Sequence, residues 1–233
     1  MPQGLLIVIE GGDGSGKQTQ TAMLVRRLRQ DRVPVETMSF PRYGKSFGAQ
    51  IVRAYLDGQF GDPKTIDPFL AAIPYAMDRH EAAATIKKWL AEGKVVISDR
   101  YNSANVIHQG AKVAFPAQTA NVDDEELAED RLDELTKFLD RLETELFDNP
   151  QPDVVIYLHV SPQVSQALME KQGRHKDGHE ADLNYAQRVE RVALFCCDYW
   201  TGWQLVECCP GGREILSPER IHELVYQKVK EAL

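Results

Sequence analysis

The stretch Gly11-Gly12-Asp13-Gly14-Ser15-Gly16-Lys17 constrains this chain more than any other. It follows a continuous apolar run, Leu5-Leu6-Ile7-Val8-Ile9, and opens an amphipathic stretch over residues 17–30. A short apolar run closed by glycines predicts a strand buried on both faces. Such a strand needs helices above and below it, so this one segment already implies an α/β architecture. The spacing G-x-x-x-x-G-K is that of a phosphate cradle. Its glycines let backbone N–H groups turn inward as an anion nest, and the following helix aims its positive end at the same point. Lys17 adds a point charge for a phosphate. The competing reading is a glycine-rich turn with an incidental lysine, and the flanking strand and helix weigh against it.

The rest of the chain repeats the alternation. Further strands are predicted at Val35 to Phe40, Val95 to Asp99, Val154 to Val160 and Gln204 to Cys208. Helical spacing marks residues 67–91 (with Pro74 inside), 123–147, 162–171, 184–200 and 217–232, the last opened by Ser217-Pro218-Glu219. This pattern predicts a three-layer α/β fold, one domain over 1–233, with a five-stranded parallel sheet and helices on both faces. Ligands in such folds bind beyond the carboxyl ends of the strands. The helix-forming stretch 123–147 is acidic enough to read as a partly solvated face.

A net charge of −8 excludes nucleic-acid binding by bulk electrostatics, so any phosphate site must draw on local positive charge. No apolar run is long enough for a membrane span, and the N-terminus lacks a basic, cleavable leader; the expected location is cytoplasmic. Cys196-Cys197 and Cys208-Cys209 are adjacent pairs, ill spaced for zinc, and read as buried thiols.

Two features adjoin the cradle. The strand at 95–99 ends in Asp99-Arg100, a carboxylate suited to organising a metal or its waters beside a planar fork suited to phosphate. The hydroxyl residue that usually follows the cradle lysine is replaced by Gln18, with Thr19 one position late. Either the Gln18 amide helps hold a metal-bound water, or the metal is held mainly by phosphates and carboxylates.

Taken together, four motifs in order resemble the thymidylate kinase family of P-loop nucleoside monophosphate kinases. They are Ile9 to Lys17; Phe40-Pro41-Arg42-Tyr43-Gly44; Tyr75-Ala76-Met77-Asp78-Arg79; and Asp99-Arg100-Tyr101 followed by Asn105, Gln109 and Gly110. The resemblance spans nearly the whole chain. It implies transfer of the ATP γ-phosphoryl to dTMP, with Mg²⁺, in dTTP biosynthesis. It implies that residues 11–19 bind ATP and that Arg42 and Arg100 clamp the acceptor phosphate. Phe40 and Tyr75 would flank the thymine, with Arg79 donating to a carbonyl and Asn105 serving N3–H. Asp13 would take the sugar 3′-hydroxyl and sit near the metal with Asp99, while His108 and Gln109 complete the acceptor site. The family often has Ala-Tyr where this chain has Ile107-His108, and Ser where it has Ala104.

Residues 13–15 carry no arginine, so the resemblance is to the class whose catalytic cations come from a mobile lid. The segment at about 171–183, with Lys171, Arg174 and Lys176, fits that role; the competing reading is a solvated basic loop. Around Asn184-Tyr185 the family's acidic residues are replaced by Leu183 and Ala186, with Asp182 nearby. A homodimer is the expected assembly. Two alternatives stay open: a related kinase of another deoxynucleotide or deoxynucleoside, and a nucleotide-binding protein with little or no transferase activity.

Overall fold

In the computed structural model the described residues are 3–114, 125–171, 182–212 and 214–233. The strands are β1 (Leu5–Gly11), β2 (Val35–Ser39), β3 (Val95–Asp99), β4 (Val154–His159) and β5 (Trp203–Glu207). They form one parallel sheet in the order β2-β3-β1-β4-β5. The helices are α1 (Lys17–Gln30), α2 (Phe47–Leu56), α3 (Pro68–Ala91), α4 (Asn102–Val113), α5 (Glu125–Asp140), α6 (Pro162–Lys171), α7 (Leu183–Tyr199) and α8 (Pro218–Ala232). A π-helical turn, Arg141–Leu146, extends α5.

The continuous apolar runs are explained by what covers the sheet. Successive side chains of a strand face opposite ways. Ile7 and Ile9 of β1 pack with Ile97 and Ile156 against Leu24 and Leu28 of α1 and Val225 of α8. Leu6 and Val8 point the other way, to Val96, Val155, Phe40 and Ile86 of α3. Helices α4 and α7 continue that second layer around Tyr157, and α5 packs beyond it on α3 through Leu135 and Leu139. Truncating Leu24 or Leu28, both fully buried, to alanine is expected to cost about 2–5 kcal/mol.

Every predicted strand is present, with ends displaced by at most two residues, and Ser217 caps α8 with Pro218 at its first position. Helix α3 runs through Pro74 unbroken. Sequence periodicity did not mark α2 or α4. Both are short, and α4 buries polar residues (Ser103, Asn105, Gln109) along its inner face, which blurs an apolar stripe. The stretch predicted as a helix over 123–147 ends in the π turn, whose Glu143 is buried rather than solvated.

Candidate active site

The phosphate cradle is built by β1 and α1. Gly14 (φ 79°) and Gly16 (φ 88°) adopt left-handed backbone that side chains disfavour. Gly16 is the N-cap of α1 and offers no side chain, so the first-turn N–H groups of α1 have no side-chain cap. By contrast Ser46, Asp67, Asp182 and Ser217 cap α2, α3, α7 and α8 with their side chains. An uncapped, positively polarised helix start beside a lysine is suited to an anion. Lys17 folds back on the loop, its Nζ donating to Gly11 O (2.9 Å) and Gly12 O (2.8 Å). Burial and then the Arg100 charge pull its pKa down to about 8. Ser15 is buried with its Oγ unpartnered, whereas Gln18 and Thr19 are exposed. Behind the loop, fully buried Glu10 accepts from Ser103 Oγ (2.9 Å) and Gly11 N (3.1 Å), tying α4 to β1; burial raises its pKa.

Arg100, with φ 62° in the left-handed region, is a backbone outlier of the kind that clusters at functional sites. Its Nη2 donates to Asp13 Oδ1. Burial alone would raise the Asp13 pKa, but Arg100 and Lys17 outweigh it and hold the carboxyl well below its usual range. Arg100 Nη1 lies 3.1 Å from His108 Nε2. A guanidinium only donates, so Nε2 accepts and the His108 proton sits on Nδ1, 3.2 Å from the Tyr185 hydroxyl. Burial, reinforced by Arg100, pushes the His108 pKa down to about 3, leaving the ring neutral. Asp99 is half-buried and its pKa is raised by burial, against the pull of Lys17 and Arg100. Among the described residues no hydrogen bond or ion pair engages its carboxylate.

A cavity of about 650 Å³ opens between the cradle and α3, α4 and α7, at the carboxyl ends of the strands. That is ample for a nucleotide. Asp13, Phe40, Tyr75, Arg79, Arg100, Asn105, His108 and Gln109 all line it, so eight residues singled out from sequence converge on one chamber. Phe40 is buried and meets Tyr101 edge-on at 5.4 Å. Tyr75 stays protonated, its pKa raised by burial and by neighbouring tyrosines. Asn105 Nδ2 donates to Ala72 O (3.2 Å), which orients the amide.

Arg42 and Arg79 are both engaged by carboxylates of the protein. Arg42 is not in the cavity wall; Asp78, which holds it, is. Asp78 accepts from Arg42 N (2.8 Å), Nε (3.0 Å) and Ser46 Oγ (2.6 Å), and is itself almost inaccessible. Arg79 is bound through Nε and Nη2 to Glu143, and through Nη1 to Tyr101 O. Asp182 is taken up as the N-cap of α7 and by Lys64 (3.1 Å). Arg174 and Lys176 lie outside the described residues, as does most of the expected lid.

Sequence reasoning missed Tyr55 and Lys112, which line the same cavity. Lys112 Nζ donates to Tyr55 OH (2.7 Å) and Pro63 O (3.0 Å). Burial lowers the Lys112 pKa to about 8 and raises that of Tyr55 to about 12. A signal existed: Asn105, His108, Gln109 and Lys112 fall on one face at helical spacing.

This fold and this loop define a P-loop nucleotide-binding protein whose chamber opens beside the phosphate cradle. The family model described as thymidylate kinase matches residues 9–121. A thymidylate kinase from Mycobacterium tuberculosis is 31% identical over 208 residues, covering 87% of this chain and 90% of that protein. One from Leifsonia xyli is 39% identical over 143 residues, covering 60% and 65%. A solved thymidylate kinase structure from Candida albicans superposes with a TM-score of 0.71 at 21% identity, covering 99% of this chain and 92% of that one, which attests the fold. The chain belongs to the thymidylate kinase family.

Proposed function

We infer that the protein transfers the γ-phosphoryl group of ATP to dTMP, giving dTDP and ADP on the way to dTTP. The observation that carries this reading is the convergence of the cradle, Arg100 and the Phe40–Tyr75–Arg79–Asn105 wall on one chamber. An acceptor phosphate is already largely ionised at neutral pH, so no general base is required. One of its oxygens forms the new P–O bond as the bond from the γ-phosphorus to the β–γ bridging oxygen breaks and ADP leaves. The protein's task is position and charge. The cradle N–H groups and Lys17 hold the donor phosphates, Lys17 giving up its loop carbonyls for them. Arg100, which lines the chamber, holds the acceptor phosphate, shared with the carboxylate that now pairs with it, and Arg42, held by Asp78 outside the cavity wall, joins it by turning from that carboxylate. Phe40 and Tyr75 flank the base, stacking that is typically worth about 1–3 kcal/mol but is blind to base identity. Base identity is read by hydrogen bonds, with Arg79 donating to a carbonyl and the Asn105 amide oxygen accepting N3–H. Asp13 takes the sugar hydroxyl, and His108 and Gln109 close the sugar side.

The donor set fits Mg²⁺ held mainly by substrate phosphates and water. Asp99 offers an unengaged carboxylate, Asp13 is committed to Arg100, and among the described residues no acid or histidine cluster forms a protein-only metal site. When bound, the ion would neutralise charge on the phosphates. Arg174 and Lys176 supply further positive charge from the lid at 171–183. Residues 1–233 act as one domain. Exposed Phe47 and Leu70 on α2 and α3 support a homodimer. Among the described residues no helix is long and apolar enough to cross a membrane, and a cytoplasmic site of action is consistent with that. The test is ADP release with a panel of nucleoside monophosphates and thymidine. Preference for dTMP is expected; preference for AMP, GMP, CMP or free thymidine overturns the reading.

A further inference from the structure

We propose that Glu143, presented by the π-helical turn and braced by Asn149, is the positioning residue that fixes which N–H groups Arg79 turns to the acceptor base. This rests on the assignment of the chamber to a nucleotide acceptor.

Arg79 and Glu143 are each only 2% exposed, a desolvated ion pair whose arginine lines the chamber while its carboxylate stands behind the wall. A guanidinium has five N–H donors. Nε–H is shared between both Glu143 oxygens at 3.1 Å, one Nη2–H goes to Glu143 Oε1, and one Nη1–H goes to Tyr101 O at 3.3 Å. One N–H remains on each terminal nitrogen. Those two are what Arg79 can offer a ligand, and both only donate. A carbonyl at the base edge satisfies such a face; an exocyclic amine presents donor to donor. The discrimination therefore depends on the rotation of the guanidinium, and Glu143 sets that rotation.

The placement of Glu143 is built, not incidental. A regular continuation of α5 would carry a different register; the π turn inserts extra backbone, a feature common at functional sites. The turn is closed by a left-handed residue and a long backbone bond. Asp148 takes a left-handed φ of 49°, and Asn149 N donates to Glu143 O at 2.8 Å. The Asn149 side chain then donates from Nδ2 to Glu143 Oε2 at 2.7 Å and to Ala76 O of α3 at 3.1 Å. Asn149 thus grips the carboxylate and the helix that carries Arg79 at once. The carboxylate is bound on both oxygens, and the pair is locked from the side away from the chamber.

The experiment is steady-state kinetics on Glu143→Gln, which keeps the shape but replaces one acceptor oxygen by a donor. The expected result is a rise of about 10-fold or more in KM for dTMP, with kcat and KM for ATP within about twofold, and a fall in the dTMP-over-dCMP preference. In an Arg79→Met background the same substitution should leave KM unmoved, because Glu143 acts only through Arg79. A lower melting temperature with unchanged KM and unchanged base preference would reduce Glu143 to a structural role and overturn the proposal. Should Glu143→Gln not fold, Asn149→Ser carries the test. About a threefold or greater rise in the acceptor KM alone is expected, and an unchanged value overturns the proposal. The two readings fail separately. A wild-type preference for another monophosphate overturns the dTMP assignment, whereas only an acceptor KM indifferent to these variants overturns the role of Glu143.

Discussion

The two ends of the chamber each contain an arginine bound to a carboxylate, and they hold them in opposite ways. At the phosphate end Arg100 pairs with Asp13 at 21% and 34% side-chain exposure, with Lys17 and His108 alongside. At the base end Arg79 pairs with Glu143 at 2% each. A hydrated pair can open when a phosphate brings its own charge, since solvent compensates whatever is released. A dry pair cannot exchange partners without stranding a buried charge. The phosphate end is therefore built for charges that move during turnover, and the base end for charges that never move. The same residue type does chemistry in one place and supplies shape in the other.

Substitutions at the two ends should separate activity from stability. Lys17→Ala and Arg100→Ala are expected to lower kcat by about 10³-fold or more while the melting temperature shifts little. Initial-rate assays and thermal unfolding on the same preparations check this. A variant that kept its rate would break the assignment of the donor end. Arg79→Ala should do the reverse at the outset, destabilising the fold by about 3 kcal/mol because Glu143 is left buried and unpaired. Urea unfolding reads that loss, and equal stability of Arg79→Ala and Arg100→Ala would erase the distinction between the two pairs.

How far each end could be read from sequence follows the same division. The cradle is local: strand, glycines, lysine and helix lie within Leu5–Gln30, and periodicity with glycine chemistry specifies them. The sheet was equally legible, because a strand covered on both faces leaves a continuous apolar run. Phe40, Tyr75, Asn105 and Gln109 were reached through a family resemblance rather than from chemistry, and the chamber does contain them. The partners of the arginines were not legible. Asp78 is 36 residues from Arg42, Glu143 is 64 from Arg79 and Asp13 is 87 from Arg100. Nothing in an acidic helical stretch tells which of its carboxylates a π turn will bury. Likewise α4 hides its functional stripe because the side chains it buries are polar.

A smaller effect bears on the metal. If the phosphate end works with charges that move, Asp99 is the carboxylate left unengaged for a magnesium ion. Asp99→Asn should then raise the Mg²⁺ concentration needed for half-maximal rate by about 10-fold without altering KM for dTMP at saturating metal. Rates measured across a Mg²⁺ series at fixed ATP check it. An unchanged Mg²⁺ requirement would place the ion entirely on phosphates and water.

The smallest expected effect comes from a third cluster, which tests whether permanence requires dryness. His159, at the end of β4, lies between Glu207 of β5 (2.6 Å) and Glu190 of α7 (2.8 Å). The hydrogen bond with Glu190, helped by Glu207 and opposed by burial, raises its pKa from 6.5 to about 9. The folded protein therefore holds a proton that the unfolded chain releases above pH 6.5. The stabilisation is complete below that pH and is lost as pH rises through 9. Because Glu207 is 41% exposed the effect is screened, and about 1 kcal/mol is expected. For a chain of this length that is a fall of roughly 2–4 °C in melting temperature between pH 6.5 and 9.5. Glu190→Gln should flatten this part of the profile, since it removes the charge that holds the imidazolium. A slope identical in Glu190→Gln and wild type would assign the pH dependence to other groups, and would show that a half-hydrated cluster does not hold its proton as the dry pair holds its charges.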